Sequence, residues 1–184
     1  MEGRLTFRML VSELRDDALN PNYGGSFLRN IFLVPPYKYI FHHRICYWLH
    51  GVKLLRPFYY IYLLYLNHLR IKYGIEMSSK FHIPRRFTIA HSGGIVFYPA
   101  SCGENVYIRH GVTVGGKGRA DSGAPRIGNR VEFGAHSIAI GDISIGDNTR
   151  IAAGAVVTKD IPAGSTVAGI PAKPIGDQNC LRIL

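Results

Sequence analysis

His91 and His110, two of the eight histidines in the chain, lie close to glycines. His91 is followed by Ser92-Gly93-Gly94, and paired glycines let a substrate and the backbone come close. His110 lies between Arg109 and Gly111. An imidazole with an ordinary pKa of ~6.5 can take a proton near neutral pH, which is what a hydroxyl nucleophile needs. His82 and His136 fall at repeat positions and are expected on the surface. His42, His43, His50 and His68 fall in an aromatic, helical stretch, and no spacing supports a metal ligand set, so no metal is expected. Cys46, Cys102 and Cys180 are widely separated with no CxxC, which indicates neither a disulfide framework nor a zinc knuckle. A reducing, cytoplasmic setting fits best.

The elements that must hold these imidazoles follow a period of six. From Ile127 the chain reads IGNRVE, FGAHSI, AIGDIS, IGDNTR, IAAGAV, VTKDIP, with Ile127, Phe133, Ala139, Ile145, Ile151 and Val157 leading successive units. Met77, Ile83, Ile89 and Ile95 are spaced alike, and after a five-residue unit, Ser101 to Asn105, the period resumes at Val106 and Val112. Gly118 to Pro125 has no lead hydrophobe and many turn formers, so it is expected to loop out. A fixed short period means stacked, similar units. Six residues suffice for one short strand and a corner, so three units close a triangular coil, each lead side chain stacking on its counterpart ~4.8 Å away. The expected fold class is β: a hexapeptide parallel β-helix over residues 75–176, with an N-terminal α-helical segment over 1–74 and a C-terminal tail over 177–184.

The front segment has its own signals. Phe7, Leu10, Val11 and Leu14 form a weak helical stripe, Asn20 to Gly25 is a breaker cluster, and Tyr37 to His50 reads as a helix stopped at Gly51. A second helix is expected from Pro57 to Tyr73, capped by Gly74. The formal net charge is +10, which suggests acidic partners such as phosphates, nucleotides or anionic lipid; nucleic acid is not among the partners expected. Between Asp17 and Glu76 there is no acidic residue, while Arg29, Lys38, Arg44, Lys53, Arg56, Arg70 and Lys72 are basic. Aromatic and basic residues without acid suit a helix lying in a membrane interface, so peripheral membrane contact through residues 37–73 is one expectation. Packing of the Tyr and Leu side chains on the β-helix or a neighbouring subunit is the other. Met1 to Ala18 lacks the apolar core of a signal peptide, and Pro57 to Leu66 falls short of the ~20 residues that span a bilayer.

Three stretches in order carry a resemblance: His91-Ser92-Gly93-Gly94-Ile95-Val96, Gly111-Val112-Thr113-Val114-Gly115-Gly116-Lys117-Gly118, and Val167-Ala168-Gly169-Ile170-Pro171-Ala172-Lys173. With the hexads between them they resemble the serine acetyltransferase branch of hexapeptide acyltransferases, and within it bacterial polysaccharide O-acetyltransferases. The resemblance covers about Gly74 to Gly176. It implies a left-handed coil, a homotrimer with active sites in clefts between adjacent β-helices, acetyl-CoA as donor, and direct acyl transfer without an acyl-enzyme. It implies His91 as general base, Glu76 as the acidic residue that orients it, and His110 as a competing base. It also implies coenzyme contacts at Gly115, Gly116, Lys117, Ala135 and Ala153, with Lys173 and Lys159 meeting phosphate.

Two departures bear on the acceptor. The aspartate that precedes the matching histidine in serine acetyltransferases is Ala90 here, and an Arg-His pair is replaced by Gly123-Ala124 ahead of Pro125-Arg126-Ile127. Those family residues bind the amino acid. The acceptor expected is therefore a hydroxyl of a surface or capsular polysaccharide unit, at the inner face of the membrane, with serine O-acetylation for cysteine biosynthesis as the alternative. A metal-dependent β-helix hydratase and a non-catalytic scaffold or membrane module are rivals of other classes; bound zinc would mark the first, and indifference to His91→Ala the second.

Overall fold

The computed structural model describes residues 6–24, 26–118 and 123–175. The expected C-terminal tail and the tip of the 118–125 loop lie outside the described residues.

Among the described residues four α-helices come first, α1 (Phe7–Ala18), α2 (Phe27–Leu33), α3 (Pro35–Gly51) and α4 (Arg56–Tyr73), with a 3-10 turn at Lys53–Leu55 between the last two. Each start has a local cause. The Thr6 side chain accepts from the Met9 amide and the Ser26 side chain from the Arg29 amide, as N-caps do, while α3 and α4 begin with proline in the first turn. Gly74 ends α4 at φ +60, the left-handed cap that glycine adopts without strain. The sequence reading passes over α2, a seven-residue helix too short to show a period.

Fourteen short strands follow: β1 (Ile75–Met77), β2 (Thr88–Ile89), β3 (Ile95–Phe97), β4 (Ser101–Cys102), β5 (Tyr107–Ile108), β6 (Thr113–Gly115) and β7 (Arg126–Ile127), then β8 (Glu132–Phe133), β9 (Ile138–Ile140), β10 (Ser144–Ile145), β11 (Arg150–Ile151), β12 (Val156–Val157), β13 (Thr166–Ala168) and β14 (Lys173–Pro174). They form three sheets, ordered β1-β3-β6-β9-β12, β4-β7-β10 and β2-β5-β8-β11-β13-β14, parallel throughout except for β13 with β14. The chain visits the sheets in turn, so each circuit is one coil of a three-sided parallel β-helix.

The inside of the prism is apolar. Phe97, Val114, Ala139 and Val157 stack on one side and Ile89, Ile108, Phe133, Ile151 and Val167 on another, all buried. Full burial of an Ile, Val or Phe side chain contributes about 1.5–3 kcal/mol, and the column repeats it coil after coil. Corners need small residues because the next coil lies directly against them. A Cβ at Gly134 would overlap the Ala152–Ala153 backbone, and one at Gly128 would overlap Asp147.

The helices are tied to the first coil by buried polar contacts. Arg44, 1% exposed, donates to Asp17 Oδ2 at 2.6 Å, to Glu13 Oε2 at 2.8 Å, and to the carbonyls of Ile83 and Pro84. Counted with the basic residues that suit a membrane interface, Arg44 is instead buried: a guanidinium has enough donors to satisfy two carboxylates and two carbonyls at once. Burial raises the Asp17 pKa, opposed by the attraction of Arg44. His82, expected on the surface, pairs with Glu13 through Nε2 at 2.9 Å. The Tyr23 hydroxyl accepts from the Ile89 amide, and Asn20 donates to Thr88. On α4, Tyr59, Leu66 and Leu69 pack inward, whereas Phe58, Ile61, Leu64 and Ile71 are exposed. Among the described residues no helix is long and apolar enough to cross a membrane.

Candidate active site

His91 sits at the corner that leads from β2 to β3. The register pairs Ile89 with Ile108 and Phe133, and continues beyond the corner as Val96 with Thr113 and Ile138. Between Ile89 and Ile95 the chain spends residues 90–94, whereas the corners below, between Ile108 and Val112 and between Phe133 and Ser137, use only 109–111 and 134–136. The corner with His91 is two residues longer, and His91 is exposed there. The extra residues close over glycines: Gly111 donates to the Gly93 carbonyl at 2.8 Å, and a Cβ at Gly74 would lie 3.0 Å from the Gly94 nitrogen.

Beneath His91 lie two more imidazoles. The His91 and His110 rings are 6.0 Å apart, and the His110 and His136 rings 4.9 Å apart and nearly perpendicular. His136, expected to be a bystander on the surface, is exposed but belongs to this column. It occupies a left-handed backbone position, φ +58, that is glycine on the neighbouring coils at Gly111 and Gly154. Its ring folds over the bare Cα of Gly111. The competing base His110 is therefore flanked by a ring on either side. The described residues contain no cluster of three or more His, Cys, Asp or Glu side chains able to hold a metal.

Glu76 lies on β1, opposite Val96, and its carboxylate is exposed. It accepts from the Tyr98 hydroxyl at 3.1 Å and makes no hydrogen bond to His91 within the chain. Burial, then the Glu76 carboxylate, holds the Tyr98 hydroxyl pKa above its ordinary value. Arg70 Nη2 donates to the same hydroxyl at 3.3 Å. Sequence reasoning missed Asn67, Arg70 and Tyr98; a cation in the last turn of α4, six residues ahead of Glu76, was the one available signal. Asn67, Arg70 and Glu76 line a pocket of about 310 Å³ whose far wall is Gly94 to Val96, just past His91.

The residues named for coenzyme contact divide between two edges of one sheet. Ala135 and Ala153 stand at the β8–β9 and β11–β12 corners, with the Gly154 amide donating to the Ala135 carbonyl at 2.9 Å. Gly115, Gly116 and Lys117 stand at the opposite edge, where β6 ends, and the Lys117 side chain lies over Gly141. Lys159 follows β12, and Lys173 lies on β14; both are exposed. One chain does not bring the two sets together. The outer face of the sheet between them is largely apolar, with Val96, Ile138, Ile140 and Val156 half-buried, whereas the β5-β8-β11 side presents Tyr107, Glu132 and Arg150.

Residues 124–159 match the model of the bacterial transferase hexapeptide family (six repeats). The serine acetyltransferase of Helicobacter pylori strain J99 is 40% identical over 136 residues, which is 73% of this chain and 80% of that protein. That of Mycobacterium tuberculosis is 35% identical over 153 residues, 81% of this chain, and the chain spans 64% of its length. The crystal structure of Neisseria gonorrhoeae serine acetyltransferase in complex with serine superposes with a TM-score of 0.77 at 27% identity, covering 94% of this chain and 72% of that one. Serine acetyltransferase from Brucella abortus in complex with coenzyme A gives 0.74 at 28% identity, covering 94% and 68%.

These relatives correct the expectation of a saccharide acceptor: these serine acetyltransferases align over 73% or more of the chain, whereas a putative colanic acid biosynthesis acetyltransferase of Escherichia coli, 40% identical, matches 55% of it and 63% of its own length. Arg70 and Glu76 bring charged groups from α4 and β1 to the pocket beside the corner that carries Ala90 and His91. With the repeat, the coiled fold and the relatives in agreement, the chain belongs to the serine acetyltransferase family of hexapeptide transferases.

Proposed function

We propose that the protein is an acetyl-CoA-dependent serine O-acetyltransferase in which His91 is the general base. The carrying observation is an exposed imidazole on a lengthened, glycine-walled corner at the rim of an apolar sheet face. The serine hydroxyl oxygen attacks the thioester carbonyl while His91 takes its proton. The tetrahedral intermediate then collapses with cleavage of the C–S bond, and the thiolate of coenzyme A recovers the proton from the imidazolium. No acyl-enzyme forms. Proton transfer by a positioned base is worth typically 10²–10⁴-fold. Glu76 is the acidic partner that steadies the imidazolium once acceptor is bound, and His110 is the reserve base.

The coil is taken as left-handed and the assembly as a homotrimer, in keeping with the family. The partly exposed apolar face bearing Val96, Ile138, Ile140 and Val156 supports this, because a second copy packed on it would remove it from water. Such packing lets one subunit offer the edge with His91, Ala135 and Ala153 and its neighbour the edge with Gly115, Gly116 and Lys117. Small residues at the first edge leave backbone amides open to a pantetheine arm, and Lys159 and Lys173 meet phosphate as point charges.

The test is direct. Purified protein with acetyl-CoA and L-serine should release free thiol at a rate that saturates in both substrates. Absence of thiol release with L-serine would defeat the proposal.

A further inference from the structure

Arg70 has no assigned task, yet its surroundings describe one. It stands in the last turn of α4, half-buried, and lines the pocket shared by Asn67, Glu76 and Gly94. A guanidinium has five N–H donors in a rigid fork. Only one hydrogen bond from Arg70 to protein is formed among the described residues, to the Tyr98 hydroxyl at 3.3 Å, and Arg70 takes part in no ion pair there. Glu76 makes no ion pair with it: the tyrosine hydroxyl accepts from Arg70 and donates to Glu76 at 3.1 Å. The cation is thus held in place at the mouth of a pocket with most of its donors unused. An unpaired fork of this kind fits a carboxylate, which it can bind through two parallel hydrogen bonds.

We infer that Arg70, with Asn67 beside it, binds the α-carboxylate of the amino-acid acceptor. This rests on the serine reading above and deepens it. Position supports it: the opposite wall of the pocket is Gly94, three residues past His91, so an acceptor whose carboxylate is anchored on α4 extends toward the imidazole. It also accounts for the chemistry lost at Ala90 and at Gly123-Ala124, since recognition of a zwitterion requires charge from somewhere. Arg70 acts here as a substrate-binding residue and transfers no proton.

The experiment compares the full-length protein with Arg70→Met and Arg70→Lys, following thiol release from acetyl-CoA with L-serine or L-serinamide, which lacks the carboxylate. Arg70→Met should raise the KM for L-serine at least tenfold, with kcat and the KM for acetyl-CoA changed less than threefold. Its preference for L-serine over L-serinamide should collapse toward unity, and Arg70→Lys should fall between it and the parent. Unchanged far-ultraviolet circular dichroism establishes that the variants fold. If the parent turns over L-serine and Arg70→Met keeps both the parent KM and the parent preference, the inference is wrong while the serine reading stands. If the parent itself releases no thiol with L-serine, the serine reading fails and carries this inference with it.

Discussion

The His136 ring stands edge-on to His110, centroids 4.9 Å apart and planes at 87°, from a left-handed backbone position directly over Gly111. Gly111 itself has φ +69, and a Cβ there would run into the His136 ring. Gly111→Ala should therefore cost about 2 kcal/mol, from left-handed backbone strain of roughly 1–2 kcal/mol plus displacement of the ring. Adding His136→Ala should relieve the steric part alone. Urea denaturation of the two variants decides it: a double variant no more stable than Gly111→Ala would show that the ring is not what fills the space.

His91 and His110, 6.0 Å apart, are the two candidate bases, and their roles separate kinetically. His91→Asn should lower kcat by about 10²–10⁴ with the fold intact, and His110→Asn by no more than about tenfold. The reverse pattern would transfer the proton-accepting role to His110.

Arg44 neutralises two carboxylates that are themselves buried, at 3% exposure for Glu13 and 1% for Asp17. Arg44→Met leaves Asp17 without a counter-charge and Glu13 with His82 alone, and should cost about 3–5 kcal/mol at pH 7. Burial already raises the Asp17 pKa in the folded state, and losing Arg44 raises it further above the unfolded value of 3.8. A raised folded pKa means that the native state binds protons more readily, so the deficit relative to the parent should shrink as pH falls toward 4. Urea midpoints at pH 7 and pH 4.5 measure it; a deficit that grows on acidification contradicts this account.

His43 is fully buried, with Nε2 3.0 Å from the Ser78 carbonyl, and Nδ1 has no partner. Burial pushes its pKa down to about 4, against an ordinary 6.5, and the hydrogen bond to Ser78 opposes that shift. Between pH 6.5 and 4 the unfolded chain therefore binds the extra proton and the native state does not. Stability conferred by neutral His43 is fully present above 6.5 and declines as pH falls toward 4, with a slope of up to about 1.4 kcal/mol per pH unit. His43→Leu should remove most of that slope despite losing the bond to Ser78. A variant with the parent's pH profile would assign the acid sensitivity elsewhere.

The apolar outer face centred on Ile138 should be an interface between subunits. Ile138→Glu is expected to convert the assembly to monomers in light scattering and to abolish turnover, since the two sets of residues proposed for coenzyme contact stand at opposite edges of the sheet. Monomers that retain full activity would show that one chain holds a complete site.

Much of the architecture is legible locally. Hydrophobes at every sixth position dictate a coil, because a lead side chain on one rung finds shelter only against its equivalents on the next. Pro57 and Gly74 bound α4 by fixed backbone preferences that need no partner. The site is different. Ile89 and Ile95 are six apart like any hexad, yet one ends a strand and the other begins one, so the two extra residues that carry His91 outward do not disturb the count. Arg44 reads as one more cation on a basic face and is buried instead, because the carboxylates that satisfy it come from α1, 27 and 31 residues earlier.

What the sequence alone determined is therefore the repeating interior and a short set of candidate imidazoles, His91 and His110, along it. Only the tertiary structure decided which side chains stand beside those imidazoles. The His column and the Arg70–Tyr98–Glu76 chain join residues from different coils and from a helix, and their meeting depends on register accumulated over every preceding corner. A repeat pattern fixes the period of a coil, but a single lengthened corner changes which residues share an edge, and nothing in the local spacing records the change.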